Sequence, residues 1–535
     1  VDVILAGRNF DAGHKSDIAR DQLPVGAAYR MVDWIPQLGS PVRRRGGWNY
    51  STKDLNTSSA VTNVAALAWA PFQGDPHLLL IGNNGKVFTD RYMSGVDGAY
   101  VGATSFPAVS HKPFWHMDLP GMILLSGGTT PSAPYKYTNP GLAPLGGTPP
   151  NATVGAAYGD WVLLANGFIG STRYANRIWV SAVGAPETWN TGQAFFDMPE
   201  EVLRVVPLRN MILVFGYRQT WMLTGTTPPP GGDWTKYDLY ALGTMDGRSV
   251  AQYRDFVIFA NNSGVFMTDG STLTDLTDQG GMSQRWQQLV DTFNLSTGWS
   301  AAAGIFSGNY VIVVHDQSGN FVTCQICDIE KRVWFEFSNL PAVMFAERQS
   351  GAGTSSADGH EELFFAHRTK PRAGMVSYCW APPDQADADG AVVLPVLETP
   401  FYKLQSPGLK QFRNVWVTHY LKTVTNSTYA KMTSTFATYS AVLSTTGSYN
   451  VLLQYWDSGL LNPTFRIEHI LTPEDTSYDL LGTLPSTKKE QRRPIWIRKR
   501  ALGVGLRITQ TQASDDSTLA EIEFEARSLS RNRRG

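Results

Sequence analysis

The sequence predicts an all-β fold: a β-propeller of six or seven blades joined to a separate antiparallel β platform domain. Three observations carry that expectation. The 535 residues include 50 Gly, 31 Pro and 16 Trp, with 12% aromatic and only 17% charged residues, a profile of short strands joined by tight turns. Short apolar runs recur at the spacing of propeller blades. The charge also changes sign between the first 390 residues and the remainder.

The runs are Leu78–Ile81, Met122–Leu125, Trp161–Leu164, Met211–Val214, Phe256–Phe259, Tyr310–Val314 and Leu363–Phe365, with starts 39 to 54 residues apart. Blade repeats fall at about 40–50 residues. Runs this short, rich in β-branched and aromatic residues and bounded by Gly or Asn, read as strands buried on both faces. In a propeller they are expected to be the inner strands, packed between neighbouring blades. Two copies align closely: Leu78 to Asp90 reads LLLIGNNGKVFTD and Phe256 to Asp269 reads FVIFANNSGVFMTD. Each is a strand, an Asn-Asn-Gly/Ser turn whose residues tolerate positive φ, and a second strand. The competing architecture is an irregular pair of β-sandwiches.

In chain order, residues 1–54 form an N-terminal segment expected to pack with the platform, 55–380 the propeller, 381–390 a linker of Ala, Pro, Asp and Gly, and 391–535 the platform. Residues 391–535 hold 18 Lys+Arg and 12 Asp+Glu, or +6, which leaves −7 for residues 1–390 against a chain total of −1. Leu502, Val504, Leu506 and Ile508 alternate as one face of a strand.

Several classes are set aside. No apolar run approaches the roughly 18 residues of a membrane helix, so membrane insertion is not expected. Three Cys cannot form a disulfide scaffold in so long a chain. The opening Val1–Leu5 shows no signal-peptide pattern. The near-zero net charge removes any global drive toward nucleic acid.

The catalytic inventory is poor. The chain has no Gly-x-Ser-x-Gly elbow, no His-Glu-x-x-His and no phosphate-binding Gly-Lys-Ser/Thr loop. His111 and His116 lie close together beside Pro and Trp, and Cys324 and Cys327 have half-site spacing, but i and i+3 on a strand face opposite ways. Glu361-Glu362 and Asp515-Asp516 read as solvated turns. Sialidase, WD and kelch repeats are missing, and Trp456-Asp457 lies outside the blades. No catalytic, cofactor-binding or metal-binding residue is therefore assigned, and no cofactor is expected. The basic clusters remain: Arg43, Arg44 and Arg45; then Arg492, Arg493, Arg498, Lys499 and Arg500 near Lys488-Lys489; then Arg531, Arg533 and Arg534. They are candidates for contact with DNA phosphates or a partner protein, against the plainer alternative of a solvated face or subunit salt bridges.

Two stretches carry a family resemblance. One is Ile178-Trp179-Val180-Ser181 followed by Gly184, Pro186, Glu187 and Trp189. The other runs from Pro207 to Gly216 and on through Thr220-Trp221 to Thr224-Gly225. With the basic N-terminal turn, the Trp/Gly-rich propeller and the strand Leu502–Ile508, the chain resembles the packaged-DNA stabilisation, or tail nozzle, proteins of short-tailed bacteriophages. The resemblance implies a non-enzymatic virion protein assembled in the host bacterial cytoplasm; none of its motifs is catalytic, so no active site is carried over. It implies a homo-oligomer, expected as a hexameric ring, below the portal or head-tail adaptor. Tail fibre or tailspike proteins and double-stranded DNA passing without sequence specificity would be its other partners. The loop Thr226–Gly232 would gate the channel or dock a fibre. The alternative is a carbohydrate-binding or carbohydrate-cleaving propeller, whose Trp and Tyr faces stack on sugars.

Overall fold

The computed structural model describes residues 2–8, 10–20, 22–24, 26–37, 40–52, 55, 61–72, 77–91, 99–100, 114–127, 133–138, 141–292, 300–316, 318–348, 362–380, 387–389, 391, 393–400, 402–403, 410–421, 464–470, 477, 479–485, 490–501, 503–510 and 517–528. The chain forms two compact units. One is the propeller, Asn49–Arg332 with Asn339–Ser377. The other is the platform, Val1–Trp48 with Val333–Ser338 and Tyr378–Gly535. No helix among the described residues is long and apolar enough to cross a membrane.

In the propeller, six antiparallel meanders of four or five strands stand as separate sheets, at 64–100, 114–144, 151–197, 204–240, 251–275 and 342–375. A further meander contributes Ser300–Phe306, Asn309–His315 and Phe321–Asp328. Numbered in chain order, this meander is blade 6 and the 342–375 sheet is blade 7. The first strands meet one another around the ring. Phe114–Leu119 of blade 2 lies beside Asn151–Tyr158 of blade 3, which lies beside Arg204–Leu208 of blade 4. Ala251–Tyr253 of blade 5 lies beside Ser300–Phe306, then comes Ala342–Arg348 of blade 7, and that strand meets Val64–Ala70 of blade 1. Strands that touch their counterparts in the next blade sit where the circumference is shortest, so the first strands surround the axis.

This corrects one expectation. The recurrent apolar runs are buried as anticipated, but each belongs to the second strand of its blade. His77–Gly82 and Asn309–His315, for example, are buried along their whole length. The second strand is flanked by strands on both edges and by neighbouring blades on both faces. The first strand turns its free edge toward the axis, and several first strands carry polar residues, such as His116, Asp118, Arg204 and Glu347, although Val64–Ala70 of blade 1 is apolar and buried throughout.

The core is spread over the seams between blades. Ile178, Val180, Val154 and Leu163 of blade 3 pack with Ile212, Val214, Trp221 and Leu223 of blade 4. Val206, Leu208, Leu213 and Phe215 then pack with Val250, Val257, Phe259 and Phe266 of blade 5. Each such side chain contributes about 1.5–3 kcal/mol by leaving water. Between blades 2 and 3, the Trp115 ring lies against Gly155, where a Cβ would sit 2.4 Å from Cε3. The two matching turns occupy equivalent positions in blades 1 and 5. Asn84 accepts from the Lys86 amide at 3.1 Å, and Asn261 accepts from the Ser263 amide at 2.8 Å.

Blade 7 closes the ring with a strand from the other end of the sequence. Asn49–Tyr50 pairs with Gly374–Met375, and the Ser51 amide donates to Ala373 O at 3.0 Å. Residues 49–52 therefore belong to the propeller, and the N-terminal segment ends at Trp48 rather than at 54.

The platform is made from both ends of the chain. One sheet runs Glu490–Ala501, Lys410–Leu421, Ser517–Ser528, Ser40–Arg44, Trp34–Gln37, with Asp2–Arg8 also paired to Ser517–Ser528. A second array places Val333–Phe337 beside Arg30–Val32, then Val396–Glu398, Gly503–Gln510, Thr464–Ile470 and Asp479–Pro485. Val504, Leu506 and Ile508 are fully buried, as their alternation predicted; Leu502 lies outside the described residues.

Candidate functional site

Within the Arg43–Arg45 cluster, Arg44 and Arg45 are buried inside the platform and Arg43 is half-buried. Arg44 and Arg45 are 1% and 0% exposed. Arg45 donates from Nε to Asp33 at 2.6 Å and grips Asp387 with both terminal nitrogens, at 2.7 and 3.0 Å. Arg44 donates to Val393 O at 3.0 Å, and Arg43 to Trp380 O at 2.6 Å. Asp33 also accepts from the Ser338 amide and hydroxyl, and Asp387 from the Trp48 amide. Three parts of the platform that are remote in sequence thus meet at one guanidinium. The segment expected to be a linker supplies one of its partners: Asp387 is 3% exposed. Burial is the main cause that lifts the Asp387 carboxyl above its ordinary range, and Arg45 opposes the lift. A second platform cluster places Glu398 between Arg20, at 3.0 Å, and Arg507, at 2.8 Å.

The other basic candidates fall on one strand. Arg492, Arg493, Arg498, Lys499 and Arg500 lie in Glu490–Ala501, whose partner is Lys410–Leu421, with Arg493 opposite Val417 and Lys499 opposite Phe412. Among the described residues this strand is an edge of its sheet. Its side chains lie outside the described ones, as do Lys488, Lys489, Arg531, Arg533, Arg534, His111, Glu361, Asp515, Asp516, Trp456 and Asp457.

The two stretches that carry the family resemblance fasten blades. Trp179 and Trp221 are fully buried. Ser181 Oγ accepts from the Val162 amide at 2.9 Å, while Glu187 receives Lys136 Nζ at 2.6 Å and the Gly146 amide at 3.0 Å, tying blade 3 to blade 2. Gly184 takes φ 63° at the hairpin tip, a conformation open to glycine. Glu200 holds the turn after Met211–Phe215 by accepting from the Arg218 and Gln219 amides. The Thr226–Gly232 loop joins the third and fourth strands of blade 4. Asp233 accepts from the Thr226 and Thr227 amides at 2.8 and 2.6 Å, so the loop is held at its base.

A concave feature lies among the first strands, a cavity of about 1210 Å³. Its wall includes Trp69, His116, Asp118, Arg204, Arg248, Arg254, Glu347 and Arg348. First strands present an unpaired edge toward the axis, and carboxylates cover part of it: Glu347 accepts from the Ile305 amide at 2.7 Å and Asp246 from the Ala301 amide at 3.2 Å. Burial, then the Arg204 charge, lowers His116 to about 4. The enclosing walls raise Asp118 to about 6, although its surface opens into the cavity. Little in the sequence points to this site. Its residues come from six blades and share no motif; of those in its wall the sequence singled out His116 for its nearness to His111, while Arg204 opens a first strand with no motif around it.

Cys324, Cys327 and Cys379 are buried and none of the three is joined in a disulfide. Among the described residues no group of three His, Cys, Asp or Glu is placed to hold a metal ion.

No protein-family model and no curated protein matches the chain. Among solved structures it is similar to the Neurospora crassa Pan2 WD40 domain, at 9% identity and TM-score 0.37 over 62% of this chain and 94% of that one. It is also similar to BBS1N in complex with ARL6DN, at 12% identity and TM-score 0.36 over 62% and 97%. The computationally designed Ika8 protein gives 10% identity and TM-score 0.35 over 62% and 99%.

Proposed function

We propose that this chain is a structural, non-enzymatic virion protein of a bacteriophage tail, a nozzle or DNA-stabilisation component. In this reading it assembles as a ring, expected to be hexameric, below the portal or head-tail adaptor. It extends the DNA conduit, retains packaged DNA and opens for ejection; tail fibres or tailspikes dock on it. The observation that carries the reading is the strand Glu490–Ala501, which brings five basic residues to a sheet edge of the platform. An edge strand offers unpaired backbone groups to a neighbouring subunit, and Lys and Arg add sequence-independent attraction to phosphate or an acidic partner. A heterologous interface repeated about an axis closes into a ring.

The carbohydrate reading rests on exposed aromatic faces, and those at the cavity are engaged elsewhere. Trp69 and Trp115 are 4% and 1% exposed, Trp69 stacks on Phe364, and Trp115 Nε1 donates to Ala152 O.

The test is the mass of the purified protein, with negative-stain images, alone and with the portal or adaptor. Rings with a central hole are expected. Reversing Arg492, Arg493, Arg498, Lys499 and Arg500 to Glu is expected to block assembly or leak DNA from filled heads. Normal infectivity after that reversal would refute the edge-strand role, and specific retention on a sugar array would favour the alternative.

A further inference from the structure

We propose that the axial cavity of the propeller is a binding site for a small oxyanion, a phosphate or carboxylate group gripped by the Arg204 guanidinium. The inference starts from how the cations of the wall are paired. Arg248 meets Asp246 at 2.6 Å, Arg254 meets Glu330 at 3.3 Å, Lys331 meets Asp328 at 2.6 Å, and Arg348 meets Glu362 at 2.9 Å. Arg204 differs. It lines the same cavity, makes no hydrogen bond or ion pair with the described residues, and its Nε is sealed from water with no acceptor. The nearest electrostatic relief comes from Glu347, one of whose carboxylate oxygens already accepts the Ile305 amide.

A half-buried guanidinium whose Nε is sealed without an acceptor is under-satisfied, and its planar fork of donors matches the paired oxygens of a carboxylate or phosphate. A ligand supplying two such oxygens would meet the terminal nitrogens of Arg204, the part of the guanidinium that is not sealed where the residue lines the cavity. The space of about 1210 Å³ holds the anion, its waters and an organic body. Because the cavity tryptophans are packed away, recognition here is polar.

The experiment is thermal unfolding at constant ionic strength, with sodium phosphate or sodium acetate replacing sodium chloride, on the wild type, Arg204→Met and Arg204→Lys. The wild type is expected to show a saturable rise of about 5 °C once the effective anion exceeds its Kd about 100-fold. Whichever anion acts at lower concentration identifies the ligand group. Arg204→Lys, which keeps the charge and loses the fork, is expected to need at least about tenfold more anion. Arg204→Met is expected to lose the response and, in chloride alone, to melt no lower than the wild type, since it removes an unpaired charge. An equal response in Arg204→Met, no saturable response in the wild type, or a clear fall in the chloride melting temperature of Arg204→Met would each overturn the proposal. The last result would make Arg204 a structural partner.

Discussion

Replacing Arg45 with methionine removes one guanidinium and strands two carboxylates. Asp33 would keep the Ser338 amide at 2.9 Å and hydroxyl at 2.5 Å, and Asp387 the Trp48 amide at 3.1 Å. Both side chains are sealed from water, at 0% and 3% exposure. Breaking one partner out of a buried ion pair costs about 3–5 kcal/mol, and here a single cation serves two anions. The upper part of that range is expected, eased by proton uptake at Asp387, whose carboxyl burial already raises. Since about 1.4 kcal/mol is tenfold in an equilibrium, opening of the platform around Arg45 should become about 10²–10³-fold more frequent. Hydrogen–deuterium exchange of peptides covering 30–48, 333–338 and 378–391 reads this directly. A carboxyl whose folded value lies above its unfolded one binds its proton more tightly in the fold, so the variant should recover stability as pH falls toward 5. Adding Asp387→Asn to Arg45→Met should restore about 1 kcal/mol or more by replacing an orphaned charge with an amide. Exchange unchanged to within about 1 kcal/mol, or a double variant weaker than the single one, would refute the reasoning.

Three further outcomes are expected. Gly155→Ala should destabilise the propeller by about 1–3 kcal/mol in chemical denaturation, because the new methyl overlaps the Trp115 ring. Asp269→Ala should cost about 1 kcal/mol by freeing the Ser271 and Thr272 amides. Those bonds hold Asp269 below its ordinary range, so their contribution is present above about pH 4 and is lost as pH falls through the depressed value. His116 should stay neutral down to about pH 4, as read by histidine hydrogen–deuterium exchange. Because the unfolded imidazole takes up its proton near 6.5, His116 lowers stability as pH falls from about 6.5 to 4. Asp118, raised to about 6, acts in the opposite direction over about pH 6 to 4, and solvent in the cavity screens its share. In Arg204→Met, His116 should titrate higher, yet below its ordinary value because burial remains.

Strands and turns were legible because their causes are local. The Asn-Asn turns and the alternation of Val504, Leu506 and Ile508 express preferences within a few residues. What the sequence hid was pairing at a distance. Arg43-Arg44-Arg45 looks like an exposed basic cluster until Asp387, 342 residues further on, is seen to meet Arg45. Asp387 sits in a stretch whose composition reads as linker, since Pro, Asp and Gly mark loops whether or not a loop side chain turns inward. The assignment of second strands as inner strands failed for a related reason. Apolar pattern reports burial and not distance from the axis: Val64–Ala70 and His77–Gly82, first and second strands of blade 1, are both buried along their whole length. Arg204 had no readable partner at all.

The two ends of the chain impose an order on its synthesis. Among the described residues, Asp2–Arg8 pairs with Ser517–Ser528. At about 5–20 residues per second, roughly 25–100 s separate the emergence of the two strands from the ribosome. Throughout that interval Asp2–Arg8 waits without its final neighbour, while blades can stack as they emerge. The ring itself is sealed earlier, when Gly374–Met375 reaches Asn49–Tyr50. A nascent chain arrested before residue 517 would therefore carry a closable propeller and an unpaired leading strand, a species suited to capture by a chaperone or by a second copy of the same strand partner.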